Sequence, residues 1–198
     1  MSNTLNFYDV SKDYVAYLQE SEKEKRGFTK VPNMEYPGRK QKFLCGIVLQ
    51  VNGMDYYVPI TSHKKQHSES ILIYFKNQND PVGSLRFNFM IPIPKEMATY
   101  RDINNEADPK HRVFLAKEHK FIIENKIHIF DKAEKTYQLI TQNKNPKLNE
   151  NSCDFKFLEK RCLEYCIENN LEIPCPFFPK TLNPQNPKNE IIISDAEK

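Results

Sequence analysis

No stretch of the sequence approaches the roughly 18 consecutive apolar residues of a membrane-spanning helix. Hydrophobic residues make up 39% of the 198 positions, below the usual share. These two shortages argue for a soluble chain with much polar surface, one that does not work in a membrane. Met1 to Tyr8 lacks a basic segment followed by an apolar one, so no secretory signal is read there and a cytoplasmic location is expected. Neither GxxxxGK followed by Ser or Thr, nor GxGxxG, nor HExxH occurs. Their absence argues against nucleotide cofactors and the common zinc hydrolases. The five cysteines, Cys45, Cys153, Cys162, Cys166 and Cys175, contain no CxxC pair and no Cys/His spacing that suits zinc. Buried free thiols are expected, and no cofactor or metal. No strong charge of either sign is present: the net charge is +3 and the pI about 8.5. A nucleic acid would therefore have to be met by local clusters rather than by an overall basic surface. No internal repeat is present.

What is present centres on one hairpin. Phe43 to Val51 reads as a strand, Asn52-Gly53 as a two-residue turn and Met54 to Ile60 as the return strand, because Asn-Gly supplies the two positive φ angles of such a turn. At the end of the return strand come Thr61, Ser62, His63, Lys64, Lys65, Gln66 and His67. Two hydroxyls, two imidazoles and two ammoniums on a stiff strand end are well held for chemistry. A solvated polar loop fits the same residue types.

The rest of the chain predicts an α+β protein. Leu5 to Val10 reads as extended, and a helix capped by Asp9 or Ser11 carries Val10, Tyr14, Tyr17 and Leu18 on one face, ending at Gly27. Lys30 to Lys42, with Pro32, Pro37 and Gly38, reads as an irregular loop. Ile71 to Phe75 is a strand by composition. Ser84 to Ile91 alternates as a half-buried strand and stops at Pro92. Such short strands predict a small, strongly bent antiparallel sheet or barrel. Asp108-Pro109 opens a helix reaching about Asn125, a second runs from about Ile127 to Gln142 with Phe130, Ala133, Tyr137 and Ile140 inward, and Asp154 caps a third. Asn143 to Ser152 reads as a loop. Residues 1–172 are expected to form a single domain and 173–198 a Pro-rich C-terminal tail.

Three basic clusters stand out: Arg39-Lys40 with Lys42, Lys64-Lys65, and Lys110-His111-Arg112. Metal-free RNA cleavage needs a group that activates a ribose 2′-OH, cations on the scissile phosphate and surfaces on which bases stack. Lys42 and Lys64 beside Thr61-Ser62, with tyrosines nearby, supply those parts. A non-catalytic RNA- or protein-binding module on the same small barrel is the alternative.

Several stretches taken together resemble a known family. They are Phe7-Tyr8; Ser11-Lys12-Asp13-Tyr14-Val15-Ala16-Tyr17-Leu18; Lys30-Val31-Pro32-Asn33; and Gly46-Ile47-Val48-Leu49 with Asn52-Gly53 and Tyr57. Pro59-Ile60-Thr61-Ser62-His63-Lys64-Lys65, Phe89-Met90-Ile91-Pro92 and Cys153-Asp154-Phe155 complete the set. In this order, over about Leu5 to Tyr165, they resemble the ToxN/AbiQ family, endoribonuclease toxins of type III toxin–antitoxin and phage-abortive-infection systems. The resemblance implies a Kid/MazF-like bent sheet core with an N-terminal helix and C-terminal helices. It implies metal-independent, sequence-biased cleavage of cellular or phage mRNA to a 2′,3′-cyclic phosphate. It also implies inhibition by a small repeated RNA antitoxin, whose pseudoknot units join toxin chains in a closed assembly. Carried over by position, the catalytic residues are Thr61, Ser62, Lys64 and Lys42, with Tyr14, Tyr36 and His63 as accessories. Arg39, Lys40, Lys65, Lys110 and Arg112 are the expected RNA-binding residues. His63 stands where the family's P-L-T-S-P-K pattern has proline, and Ala116 where some relatives have a tyrosine.

Overall fold

The computed structural model describes residues 5–35 and 42–173. The expected site residues Tyr36, Arg39 and Lys40 lie outside the described residues, as does the tail beyond Ile173.

In chain order the strands are β1 (Asn6–Val10), β2 (Leu44–Val51), β3 (Met54–Thr61), β4 (Ser70–Ile73), β5 (Gly83–Arg86), β6 (Ile91–Pro92) and β7 (Ala98–Tyr100). All pairs are antiparallel, in the order β4-β5-β3-β2-β1-β7, with β6 added on β3. Asn52 (φ 51°) and Gly53 (φ 79°) form the turn between β2 and β3, both left-handed as a tight hairpin requires. Of the bent sheet or barrel expected, the open sheet is what forms. Among the described residues β4 and β7 remain its unpaired edges. They are four and three residues long, and short edges offer little backbone for closure.

The expected strand Ser84–Ile91 is in fact divided. β5 pairs with the end of β3 (Ile60 opposite Leu85) and β6 with its start (Tyr57 opposite Ile91). If the first register simply continued, Tyr57 would face Asn88. A 3-10 turn, Phe87–Phe89, takes up the three extra residues. Tertiary bonds hold it: the Asn88 side-chain amide donates to the Asn151 carbonyl (2.7 Å), and Cys153 N–H donates to the Asn88 carbonyl (3.0 Å). Asn88 is therefore buried, although the alternation put it outside.

The helices are α1 (Lys12–Arg26), α2 (Pro109–Glu124), α3 (Lys126–Thr141), α4 (Pro146–Glu150) and α5 (Phe155–Glu168). Ser11 caps α1, Asp108 caps α2 with Pro109 in its first turn, and Asp154 caps α5, each side chain accepting a backbone N–H of the first turn. Gly27 closes α1 at φ 76°, donating its N–H to the Lys23 carbonyl. The short α4 lies inside the expected 143–152 loop, opened by the side chain of Asn145, which accepts Leu148 N–H at 3.1 Å. In α3 Ile129 is fully buried and Phe130 only partly.

α3 packs on β2, α5 on β6, and α1 on α5. Tyr56 and Tyr137 both donate their hydroxyls to Glu159 Oε1 (2.9 and 2.6 Å), tying β3 to α3 and α5 inside the core. Buried Glu22 of α1 accepts from the backbone N–H groups of Lys30 (2.6 Å) and Asp154 (2.8 Å), which fixes α5 to α1 and anchors the segment leading towards Lys42. Cys45, Cys153, Cys162 and Cys166 are buried free thiols, as expected. No helix among the described residues is long and apolar enough to cross a membrane.

Candidate active site

β3 emerges from the core at Thr61. Ile60 is 7% exposed, Thr61 is half-buried, and Ser62 to Gln66 are exposed. This abrupt change follows from the pairing. Thr61 is the last residue of β3 to have a partner, Ser84 on β5. On the other side, Leu44, the first residue of β2, faces Pro59 across the hairpin, and Lys42 comes two residues before it in the chain. Two strand starts and one strand end thus converge. Lys42 is half-buried, and its N–H donates to the Met34 carbonyl (3.0 Å).

The loop after Thr61 is pinned at several points. Ser84 Oγ donates to the His63 carbonyl (2.7 Å), and His63 N–H donates to Thr61 Oγ1 (3.3 Å). At its far end His67 N–H donates to Ser70 Oγ (3.0 Å), and Gln66 Nε2 donates to the carbonyls of His67 (2.8 Å) and Ser70 (3.2 Å). Lys132 of α3 reaches across to the Ser68 carbonyl (3.0 Å). Between the pins, Ser62, Lys64 and Lys65 point no side chain at a hydrogen-bond or ion-pair partner among the described residues. The result is a held backbone presenting unneutralised cations and a free hydroxyl, the arrangement that suits an anionic ligand whose charge grows during reaction.

Behind the strand end stands α2. Gly83, the first residue of β5, sits tightly against Thr61: a Cβ built there would lie 2.7 Å from the Thr61 carbonyl oxygen and 3.6 Å from Glu118 Oε1. Glu118 is 3% exposed, and no side chain or backbone group among the described residues hydrogen-bonds to its carboxyl. Burial pushes its pKa up from 4.5 to about 7. Lys110 and Arg112 are exposed on the first turn of the same helix. They lie eight and six residues before Glu118, roughly 12 and 9 Å along the axis at 1.5 Å per residue.

Thr61, Ser62, His63, Lys64 and Lys65 follow one another at the end of β3, and Lys42 lies two residues before the start of β2, whose Leu44 faces Pro59. Tyr14 is elsewhere. It is fully buried, donates its hydroxyl to the Pro92 carbonyl (2.8 Å) and meets Tyr165 edge-on at 4.9 Å. Pro92 pairs with Tyr56, five residues from Thr61 along β3, or roughly 16 Å at strand rise. Sequence reasoning passed over Ser84, Gly83, Glu118 and the contact of His67 Nε2 with His63 Nε2 at 3.4 Å. Only the four-residue spacing of the two histidines was visible beforehand; the others depend on strands and a helix distant in sequence.

Residues 6–162 match the family model described as Toxin ToxN, type III toxin–antitoxin system. The endoribonuclease ToxN of Bacillus thuringiensis subsp. kurstaki is 31% identical over 168 residues, covering 80% of this chain and 83% of the relative. That of Pectobacterium atrosepticum is 32% identical over 170 residues, 81% of this chain and 94% of the relative. A solved structure concerned with selective toxin inhibition by a non-coding RNA pseudoknot in bacterial type III toxin–antitoxin systems superposes with a TM-score of 0.72. It is 31% identical and covers 82% of this chain and 98% of that one. The chain belongs to the ToxN family of type III toxin–antitoxin toxins.

Proposed function

We propose that this protein is an endoribonuclease toxin that cleaves RNA at the end of β3, by attack of a ribose 2′-OH on the adjacent phosphate to leave a 2′,3′-cyclic phosphate. The observation that carries this reading is the pinned, solvent-facing Thr61–Lys65 segment at the end of β3, with Lys42 just before the strand paired to it. In the mechanism Lys64 neutralises the charge that grows on the phosphorane, because a fixed cation acts most strongly where negative charge develops. Ser62 donates a hydrogen bond to the same phosphate. Thr61, fixed by β5, orients the pair, and Lys42 approaches from β2. The chemistry is read as metal-independent. Among the described residues no group of three or more His, Cys, Asp or Glu side chains stands together as a ligand set.

The protein's partner in this reading is an RNA antitoxin. The structurally similar toxin described above is inhibited by a non-coding RNA pseudoknot. Repeated pseudoknot units would join copies of this chain in a closed assembly, held by Lys65, Lys110 and Arg112 among the described residues. Arg39 and Lys40 complete the proposed basic surface. An mRNA substrate sets this work in the cytoplasm, and the open bent sheet is read as a core of the Kid/MazF kind.

The test is single-turnover cleavage of an RNA transcript in excess EDTA, with the cleaved ends mapped. Lys64→Ala is expected to lower the rate roughly 100-fold or more, and the wild-type product to end in a cyclic phosphate. Wild-type activity that EDTA abolishes and Mg²⁺ or Mn²⁺ restores would overturn the metal-free mechanism. RNA binding without any cleavage would leave a binding module.

A further inference from the structure

We infer that Arg86 binds a backbone phosphate of the RNA next to the scissile one and so sets the strand in the site, a role that rests on the endoribonuclease reading above. Arg86 is the last residue of β5, two after Ser84. Leu85 between them is fully buried in the core, so Ser84 and Arg86 project from the opposite face of the sheet. That is the face over which the Thr61–His67 loop folds. Ser84 pins the start of the loop through the His63 carbonyl. Ser70, which stands opposite Arg86 on β4, pins its end through the His67 N–H. Arg86 is thus a neighbour of both pins. Thr61 faces Ser84, which makes Arg86 the diagonal neighbour of Thr61, with Cα atoms roughly 7–8 Å apart.

The guanidinium is held in place and unpaired. Its carbon lies 5.0 Å from the ring centre of half-buried Phe89, in the 3-10 turn that follows β5. Its Nε is shut off from solvent and has no hydrogen-bond partner. Nη1 and Nη2 are not shut off, and among the described residues they too make no hydrogen bond or ion pair. Glu69 is the carboxylate that acts on Arg86, but it forms no ion pair with it and accepts the Ser68 hydroxyl instead. Burial lowers the pKa of Arg86, with Glu69 opposing, yet a guanidinium keeps its charge at neutral pH.

A cation that loses water to burial and gains no anion weakens a fold. The other half-buried arginines do gain one: Arg26 bonds Glu22, Arg101 bonds Asp9 and Arg161 bonds Glu164. Arg86 differs from them in having its two outer nitrogens free. Those nitrogens are the planar fork that takes two oxygens of one phosphate. The loop beside it carries the unneutralised Lys64 and Lys65. The spacing of Arg86 from Thr61 is comparable with that of neighbouring phosphates along an RNA strand. A strand whose scissile phosphate lies at Ser62 and Lys64 therefore brings the next phosphate to Arg86.

The experiment follows single-turnover cleavage against protein concentration, together with binding of the same RNA made uncleavable by a 2′-deoxy nucleotide at the mapped site. Arg86→Gln should raise the half-saturating concentration roughly tenfold and leave the saturated rate within about threefold of wild type, the reverse of Lys64→Ala. The log–log salt dependence of binding should flatten by roughly 0.7. Single methylphosphonates, each of which removes the charge of one phosphate, locate the contact. Wild type should lose affinity roughly tenfold at one position adjacent to the cleaved bond, and Arg86→Gln should lose nothing further there. Because Arg86 has no hydrogen-bond or ion-pair partner in the fold, Arg86→Gln should not lower the melting temperature. Unchanged half-saturation and salt dependence in the folded variant, coupling at the scissile phosphate or at none, or a lowered melting temperature with unchanged binding, overturns the assignment. If wild type still cleaves in that case, the endoribonuclease reading stands and only the role of Arg86 falls. A wild type that cleaves no RNA removes both.

Discussion

The carbonyl oxygen of Thr61 lies so close over Gly83 that a methyl group on Gly83 would stand 2.7 Å from it. Real Cβ atoms do not approach backbone oxygen so closely, so Gly83→Ala must displace either β5 or the end of β3. Thr61 and Ser84 are paired at this point, and Ser84 also pins the His63 carbonyl. Gly83→Ala is thus expected to shift the proposed catalytic segment, Thr61–Lys65, as a unit. Overpacking of this kind costs roughly 1–3 kcal/mol, and a misplacement near 1 Å at a reacting group costs up to roughly 100-fold in rate. Thermal unfolding and single-turnover cleavage measure the two effects. Unchanged cleavage with lowered stability would mean that β5 yields and the β3 end does not.

Glu118, on the far side of Gly83, gives a pH-dependent prediction. In the unfolded chain this carboxyl loses its proton near 4.5, and in the folded protein near 7, because burial disfavours the charge. Between these values the folded state holds a proton that the unfolded state has lost. Stability therefore falls as pH rises through that window and stays lowered above it, by roughly 3 kcal/mol at most. Glu118→Gln carries no such titration. The variant and wild type should unfold at similar denaturant concentrations at pH 4.5, and the variant should be the more stable at pH 8. A stability difference that is the same at both pH values would show that Glu118 does not titrate in this range.

What the sequence made legible was what is locally encoded. The Asn52-Gly53 turn, the caps at Ser11, Asp108 and Asp154, and the grouping of Thr61, Ser62 and Lys64 all depend on neighbours a few residues away. What it left hidden depends on distant partners. The run Ser84–Ile91 alternates like one strand, yet Asn151 and Cys153 hold its middle as a turn. β7 exists because Thr99 and Tyr100 find β1. Glu118 reads as a polar position of an amphipathic helix until β5 is laid against it. The His63–His67 contact needs a loop curl that Ser84 and Ser70 impose from other strands. The same limit explains Tyr14, whose match to the family pattern says nothing of where its hydroxyl points.

That hydroxyl supplies the last prediction. Tyr14 is fully buried between α1, α5 and β6, and its O–H donates to the Pro92 carbonyl at 2.8 Å. Burial, with Cys162 and Cys166 alongside, raises its pKa well above 10, so it has no tendency to act as a phenolate near neutral pH. Tyr14→Phe keeps the ring and removes only the donor. The Pro92 carbonyl then loses its partner inside the core, which costs roughly 1–3 kcal/mol. A residue that serves the fold in this way should lower the melting temperature while leaving single-turnover cleavage unchanged well below the transition. A residue that works on RNA should do the reverse. If Tyr14→Phe slows cleavage at unchanged stability, α1 must open to admit the substrate, and Tyr14 returns to the catalytic set.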